Sequence, residues 1–156
     1  MPWRGLTLPS APCRYGAALS TGASADLICV YPGQVDDFWP YAEPFLKSAT
    51  EKCGNWSVAE IRQELDKGAL LWIIWDGKEL KAACVTRLAI IKDEKVCQVL
   101  VCGGHDEDWR TRFEEIEDYA RNERCAKAQI QGRKGWARIF NDYELAWITL
   151  ERRLDI

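Results

Sequence analysis

Ala69-Leu70-Leu71-Trp72-Ile73-Ile74-Trp75, followed by Asp76-Gly77, is the stretch that decides how this chain folds. It is apolar without a break, so it reads as a strand covered on both faces. Two more apolar runs follow, residues 80–91 and 96–102, with Lys92-Asp93-Glu94-Lys95 between them. Asp-Gly between two such runs is a strong hairpin signal, because the favoured turn needs φ > 0 at both central residues. The three runs predict an antiparallel meander. A sheet of this kind has to be covered by helices.

Helical patterns lie on both sides of it. Upstream, Ser57-Val58-Ala59-Glu60 is a capping box, Ile61 and Leu65 mark the buried side, and Gly68 ends the helix. Before it, residues 35–50 carry helical spacing through Phe38, Ala42, Phe45, Leu46 and Ala49. Pro40 is tolerable in a first turn, whereas Pro44 should kink or restart that helix. Residues 26–31 read as a short strand closed by Pro32-Gly33. Downstream, Gly103-Gly104-His105 leads into a helix over 106–124, with Trp109, Phe113, Ile116 and Ala120 on one stripe. Asp106, Glu107 and Asp108 crowd its positive end and Arg121 and Arg124 its negative end. Residues 127–131 read as a fifth strand. A short helix over 133–142 follows, with Trp136, Ile139 and Phe140 inward, and 145–154 reads as a last strand.

Residues 1–25 differ in character. They are rich in Pro, Gly, Ser and Ala, with Trp3, Leu6, Leu8 and Tyr15 spaced like anchors, and they read as an extended arm on a 26–156 body. The 156 residues are 47% hydrophobic and 29% charged with a net charge of −3, which describes a globular domain and gives no broad basic field for nucleic acid. No run is long enough to span a membrane, and the N-terminus lacks the pattern of a signal peptide. Seven cysteines without a C-x-x-C pair, and a lone His105, make no zinc set, so no metal is expected. Cys29, Cys84, Cys97 and Cys102 lie in apolar strands and read as buried free thiols. The eight tryptophans read as core.

The order β-α-α-β-β-β-α-β-α-β over residues 26–154 resembles the GCN5-related N-acetyltransferase (GNAT) fold. This is an α/β (α+β) architecture, a mixed and mainly antiparallel sheet flanked by helices on both faces. Gly132-Arg133-x-Gly135-Trp136-x-Arg138, with Gly103, Gly104 and Trp109 upstream, is similar to a set of GNAT-like proteins of tailed bacteriophages and prophages. The resemblance implies that the fourth and fifth strands splay and admit acetyl-CoA between them. Its pyrophosphate would rest on backbone N–H groups at the start of the next helix. Here that splay falls between 96–102 and 127–131, and the implied coenzyme contacts are Val101, Cys102, Gly103 and Gly104.

Three tests set by the family pattern bear on activity. The phosphate loop continues into Asp106, Glu107 and Asp108, which would occupy its donors and repel a phosphate. The position of the family's thiolate-protonating tyrosine falls near Phe140 or Asn141, so Tyr143 could serve only with a shifted register. The candidates for a general base are Glu79, Glu94 and His105. Arg133, Lys134 and Arg138 form a basic cluster, either a phosphate contact or a solvated helix face.

Two functions are therefore expected. The first is a non-catalytic GNAT-fold bacteriophage protein of the virion or its assembly. It would use no cofactor and bind neither membrane nor nucleic acid. It would dock through the arm and sheet body to other phage structural proteins, or to itself as a homo-oligomer, in the host cytoplasm during assembly or in the virion. The alternative is an acetyl-CoA-dependent N-acetyltransferase acting on a small amine or a protein amine. The site residues favour the first.

Overall fold

Successive side chains of a strand point to opposite faces, so the unbroken apolar run has to feed two cores. The computed structural model of the chain describes residues 26–53, 55–105 and 109–155. In it Leu71 and Ile73 enter one buried cluster while Trp72 and Ile74 enter another. The buried Trp72 indole N–H donates to Thr86 Oγ1 at 2.9 Å, so its polar edge is satisfied.

Five strands make one sheet: β1 Asp26–Cys29, β2 Leu70–Trp75, β3 Leu80–Ile91, β4 Glu94–Gly104 and β5 Lys127–Ile130, in that spatial order. The first four pair antiparallel and β5 joins β4 in parallel. Helices α1 Val35–Cys53 and α2 Val58–Asp66 cover the Leu71/Ile73 face through Phe38, Ala42, Leu46, Ile61 and Leu65. Helix α3 Trp109–Asn122 covers the other through Trp109, Phe113, Ile116 and Tyr119. A short helix α4, Trp136–Ile139, completes that side. The mainly antiparallel sheet with helices on both faces agrees with the sequence reading.

Local chemistry explains the element ends. Ser57 Oγ accepts from the Glu60 N–H at 3.1 Å and Glu60 Oε2 accepts from the Ser57 N–H at 3.3 Å, the expected capping box. Gly68 at φ 108° closes α2. Helix α1 runs unbroken through Pro40 and Pro44, so the restart expected at Pro44 does not occur; burial of Ala42, Leu46 and Ala49 holds it together.

The turn chemistry differs from expectation. The β2–β3 connection uses four residues, 76–79, and only Gly77 takes positive φ. Asp76 Oδ1 builds that turn by accepting from the Lys78 and Glu79 N–H groups at 2.8 and 2.7 Å. The two-residue turn with both centres at φ > 0 lies instead at Lys92-Asp93, φ 50° and 65°.

The C-terminal end also differs. The short helix is only Trp136–Ile139, Phe140 is buried as expected, and Ile139 is 40% exposed rather than inward. Residues 145–154 form no strand and are exposed, because no ladder partner lies beside them among the described residues. Trp147 is thus a tryptophan outside the core. Cys84 and Cys97 are buried free thiols, whereas Cys29 is disulfide-bonded rather than free. The arm residues Trp3, Leu6, Leu8 and Tyr15 lie outside the described residues, as do Asp106, Glu107 and Asp108.

Candidate functional site

Strands β4 and β5 run together only from Val96 opposite Lys127 to Val99 opposite Ile130. The Gln131 N–H donates once more to the Val99 carbonyl at 3.0 Å, and then the two chains part. A bulge marks the same place. Val85 faces Val101 while Thr86 faces Val99, which leaves Leu100 as the extra residue. A bulge bends its strand and increases the twist, so β4 turns away while still paired to β3.

Beyond that point the end of β4 and the segment that follows β5 line a cavity of about 580 Å³ with α1. One wall is a stripe of α1: Pro44, Phe45, Ser48, Ala49 and Lys52. The floor is the end of β4, Cys102 to Gly104, with His105 beyond it. Trp109, Arg133, Trp136 and Ile139 make the far wall. The indoles of Trp109 and Trp136 meet edge to face with centroids 6.3 Å apart. Gly132 permits this wall, since a Cβ there would stand 2.5 Å from Trp136 Cδ1.

The two glycines of the floor have packing reasons of their own. A Cβ on Gly103 would collide with the Phe45 carbonyl oxygen of α1, and one on Gly104 with Ala82 of β3. Gly104 also holds φ 135°, which side chains rarely adopt.

Among the described residues lining the cavity, Lys52 and Arg133 are cations and none is a carboxylate. An anionic guest suits that charge. The His105 ring meets the Phe45 ring edge-on at 5.7 Å, and its backbone N–H is spent on the Lys81 carbonyl at 3.0 Å. Its ring is thus placed against α1 among the lining residues.

Of the residues singled out from sequence, Cys102, Gly103, Gly104, His105 and Arg133 come together here. Val101 is buried in the α1-side core. Tyr143 is not among the lining residues; its hydroxyl donates to Glu117 Oε2 at 2.6 Å. Arg110 bridges Glu117 at 3.2 Å and Asp142 at 2.6 Å, and stands over the Tyr143 ring at 5.8 Å. Burial and the Glu117 carboxylate push the Tyr143 hydroxyl far above its ordinary range, while the Arg110 guanidinium holds the Asp142 carboxyl below its own. Glu79 pairs with Lys81 at 2.6 Å and Glu94 with Lys127 at 3.1 Å, both away from the cavity lining. Lys134 and Arg138 are exposed and also outside it. Lys52 and Ser48 were missed, although with Phe45 they repeat at helical spacing on one face of α1.

No protein-family model and no curated protein matches the sequence. Solved structures match in shape. An aminoglycoside acetyltransferase from an uncultured soil metagenomic sample, solved with trehalose, aligns at TM-score 0.61 and 7% identity over 87% of this chain and 100% of its own. A ribosomal-protein-alanine N-acetyltransferase from Brucella melitensis biovar Abortus 2308 aligns at TM-score 0.58 and 12% identity, over 83% and 99% of the two chains. A tetramutant of the BH1408 protein from Bacillus halodurans aligns at TM-score 0.59 and 12% identity, over 82% and 99%. At such identities the likeness is one of fold: the chain has the GNAT-type acetyltransferase fold. None of these structures points to a phage.

Proposed function

We propose that the chain is an acetyl-CoA-dependent N-acetyltransferase acting on a small amine or a protein amine. The observation that carries this reading is the parting of β4 from β5 after Val99 and Ile130, with a cavity at the end of β4 lined by two cations and two indoles. The names of the structural neighbours add support.

The residues divide the work by position. Lys52 and Arg133 neutralise phosphate charge where the cavity opens to solvent. Trp109 and Trp136 exclude water from the gap. Acetyl-CoA, when bound, supplies the acetyl group as a thioester. His105, the one imidazole among the described lining residues, accepts the proton of the attacking amine. For Tyr143 to protonate a thiolate, its hydroxyl would first have to leave Glu117.

The reading as a virion or assembly component rests on residues 1–25 and on Asp106, Glu107 and Asp108, which lie outside the described residues, and on Phe140 or Asn141 standing at the family's tyrosine position. The two readings separate in one assay: release of free coenzyme thiol from acetyl-CoA in the presence of an aminoglycoside, a polyamine or an alanine-initiated peptide. Amine-dependent release that survives deletion of residues 1–25 supports the transferase. No release with any amine, together with loss of a phage-particle association on the same deletion, supports the docking protein.

A further inference from the structure

A circuit of polar side chains lies on the sheet beside the point where β4 and β5 part. Cys97, Val99 and Ile130 belong to the α3-side cluster, so by alternation Gln98, Gln129 and Gln131 face the α2 side. There Arg87 Nη1 of β3 donates to Glu64 Oε2 of α2 at 3.2 Å, and Arg87 Nε donates to Gln98 Oε1 at 2.9 Å. Gln98 Nε2 donates in turn to Gln129 Oε1 at 3.1 Å. Arg87 stands opposite Gln98 and Gln98 opposite Gln129, so the relay runs straight across three strands. A second line starts between α1 and α2, where the Trp56 indole N–H donates to Gln131 Oε1 at 3.1 Å. The Arg87 guanidinium lies 5.1 Å from the Trp56 ring centroid and closes the circuit.

Gln98 is the centre of it. Its side chain is buried, so its amide has to be paired. A guanidinium can only donate, which turns the Gln98 oxygen toward Arg87 and leaves its NH2 group for β5. Strand β5 needs such a hold. It pairs with β4 over four residues, in parallel, and with no strand on its other side among the described residues. A slip of one residue would put Ala128 or Ile130 where Gln129 meets Gln98 and break the relay. The place matters as well. The Gln131 N–H makes the last bond to β4, on the Val99 carbonyl, and two residues further on the chain reaches Arg133, which with Trp136 lines the cavity.

We propose that the circuit of Glu64, Arg87, Gln98, Gln129, Trp56 and Gln131 fixes the residue at which β5 leaves β4, and thereby sets where Arg133 and Trp136 stand in the coenzyme gap. None of the six lines the cavity, so they are positioning residues that act through the strand. The effect on the coenzyme rests on the acetyltransferase reading, whereas the hold on β5 does not. Gln98→Leu removes the centre and leaves the Arg87 Nε–H and Gln129 Oε1 without their partner. Gln98→Glu keeps both contacts, because a carboxylate accepts from Arg87 and also from Gln129 once that amide turns over to donate. The two variants separate the hydrogen-bond circuit from the shape of the side chain.

The test is residue-resolved amide hydrogen exchange on the purified full chain, followed by calorimetric titration with acetyl-CoA. In Gln98→Leu the Gln131 amide should exchange about tenfold faster than in the parent chain, while the amides of residues 71–74 in β2 keep their protection. Acetyl-CoA should bind about tenfold more weakly to the same variant. Gln98→Glu should restore both. Trp56→Phe guards against a Gln98 variant that fails to fold: it keeps a ring under Arg87, removes only the N–H to Gln131, and should by itself speed exchange at Gln131. Unchanged exchange at Gln131 in a folded Gln98→Leu or in Trp56→Phe would overturn the circuit as the hold on β5. Faster exchange with undiminished acetyl-CoA affinity would overturn its role in the gap. A parent chain that binds no acetyl-CoA strikes the transferase reading instead, and the exchange comparison then decides the hold on β5 alone.

Discussion

The carbonyl oxygen of Phe45 on α1 lies where a Cβ on Gly103 would have to go. Helix α1 therefore sits on the end of β4 as closely as backbone permits, and this contact sets the width of the cavity floor. The glycine that the sequence suggests as a phosphate-loop residue is first of all a helix-packing residue.

Gly103→Ala should therefore destabilise the fold by about 1–3 kcal/mol, the usual cost of forcing atoms into packed space. The opposing atom is backbone and cannot rotate away. Urea denaturation checks this. A midpoint equal to that of the parent chain would mean that α1 does not press on β4.

The two hairpins predict opposite responses. Lys92 and Asp93 both hold positive φ without being glycine, so Lys92→Asn/Asp93→Gly should stabilise by about 1 kcal/mol. Asp76→Ala removes the acceptor for two backbone N–H groups and should cost about 1 kcal/mol. Those two bonds also lower the Asp76 carboxyl below its usual range, so its contribution is present at neutral pH and is lost as pH falls through that lowered value. Thermal melts of the three chains at neutral and acid pH measure both effects.

Tyr143→Phe removes one hydrogen bond to Glu117 but leaves Glu117 paired with Arg110. A loss of about 1 kcal/mol in stability and less than tenfold in turnover is expected. Steady-state kinetics decides the point, since a fall of a hundredfold or more in kcat would make this phenol the proton donor.

Glu115 on α3 has a buried oxygen, Oε2, without a partner, and burial raises its carboxyl. A carboxyl raised in the folded state penalises folding once pH exceeds its unfolded value, and the penalty is relieved as pH falls. Glu115→Gln should thus gain stability at neutral pH, by less than about 1 kcal/mol because the group is partly in solvent, and the gain should vanish in acid. Paired melts across pH show whether the difference behaves this way.

Much of this was legible in the sequence because it was local. The unbroken run 70–75 required two covers, and Ser57 with Glu60 marked a helix start, since both signals act within a few residues. The turn types were not legible, because Lys92 and Asp93 are driven into positive φ by strand pairing on both sides rather than by their own preference. Nor was the cavity: Lys52 and Arg133 are eighty-one positions apart by their numbering and meet only when α1 and the segment before α4 close on one gap. The Trp56 indole donating to Gln131 at 3.1 Å is another pairing that no periodicity announces. Residues 145–154 were legible as a strand former, but a strand also needs a neighbour.

Calorimetric titration of the purified chain with acetyl-CoA is the most direct measurement on the gap between β4 and β5. A micromolar Kd is expected, weakened at least tenfold (about 1.4 kcal/mol) in Arg133→Glu and in Lys52→Glu. No binding at millimolar acetyl-CoA, or binding that both reversals leave unchanged, would contradict a coenzyme seat at that place.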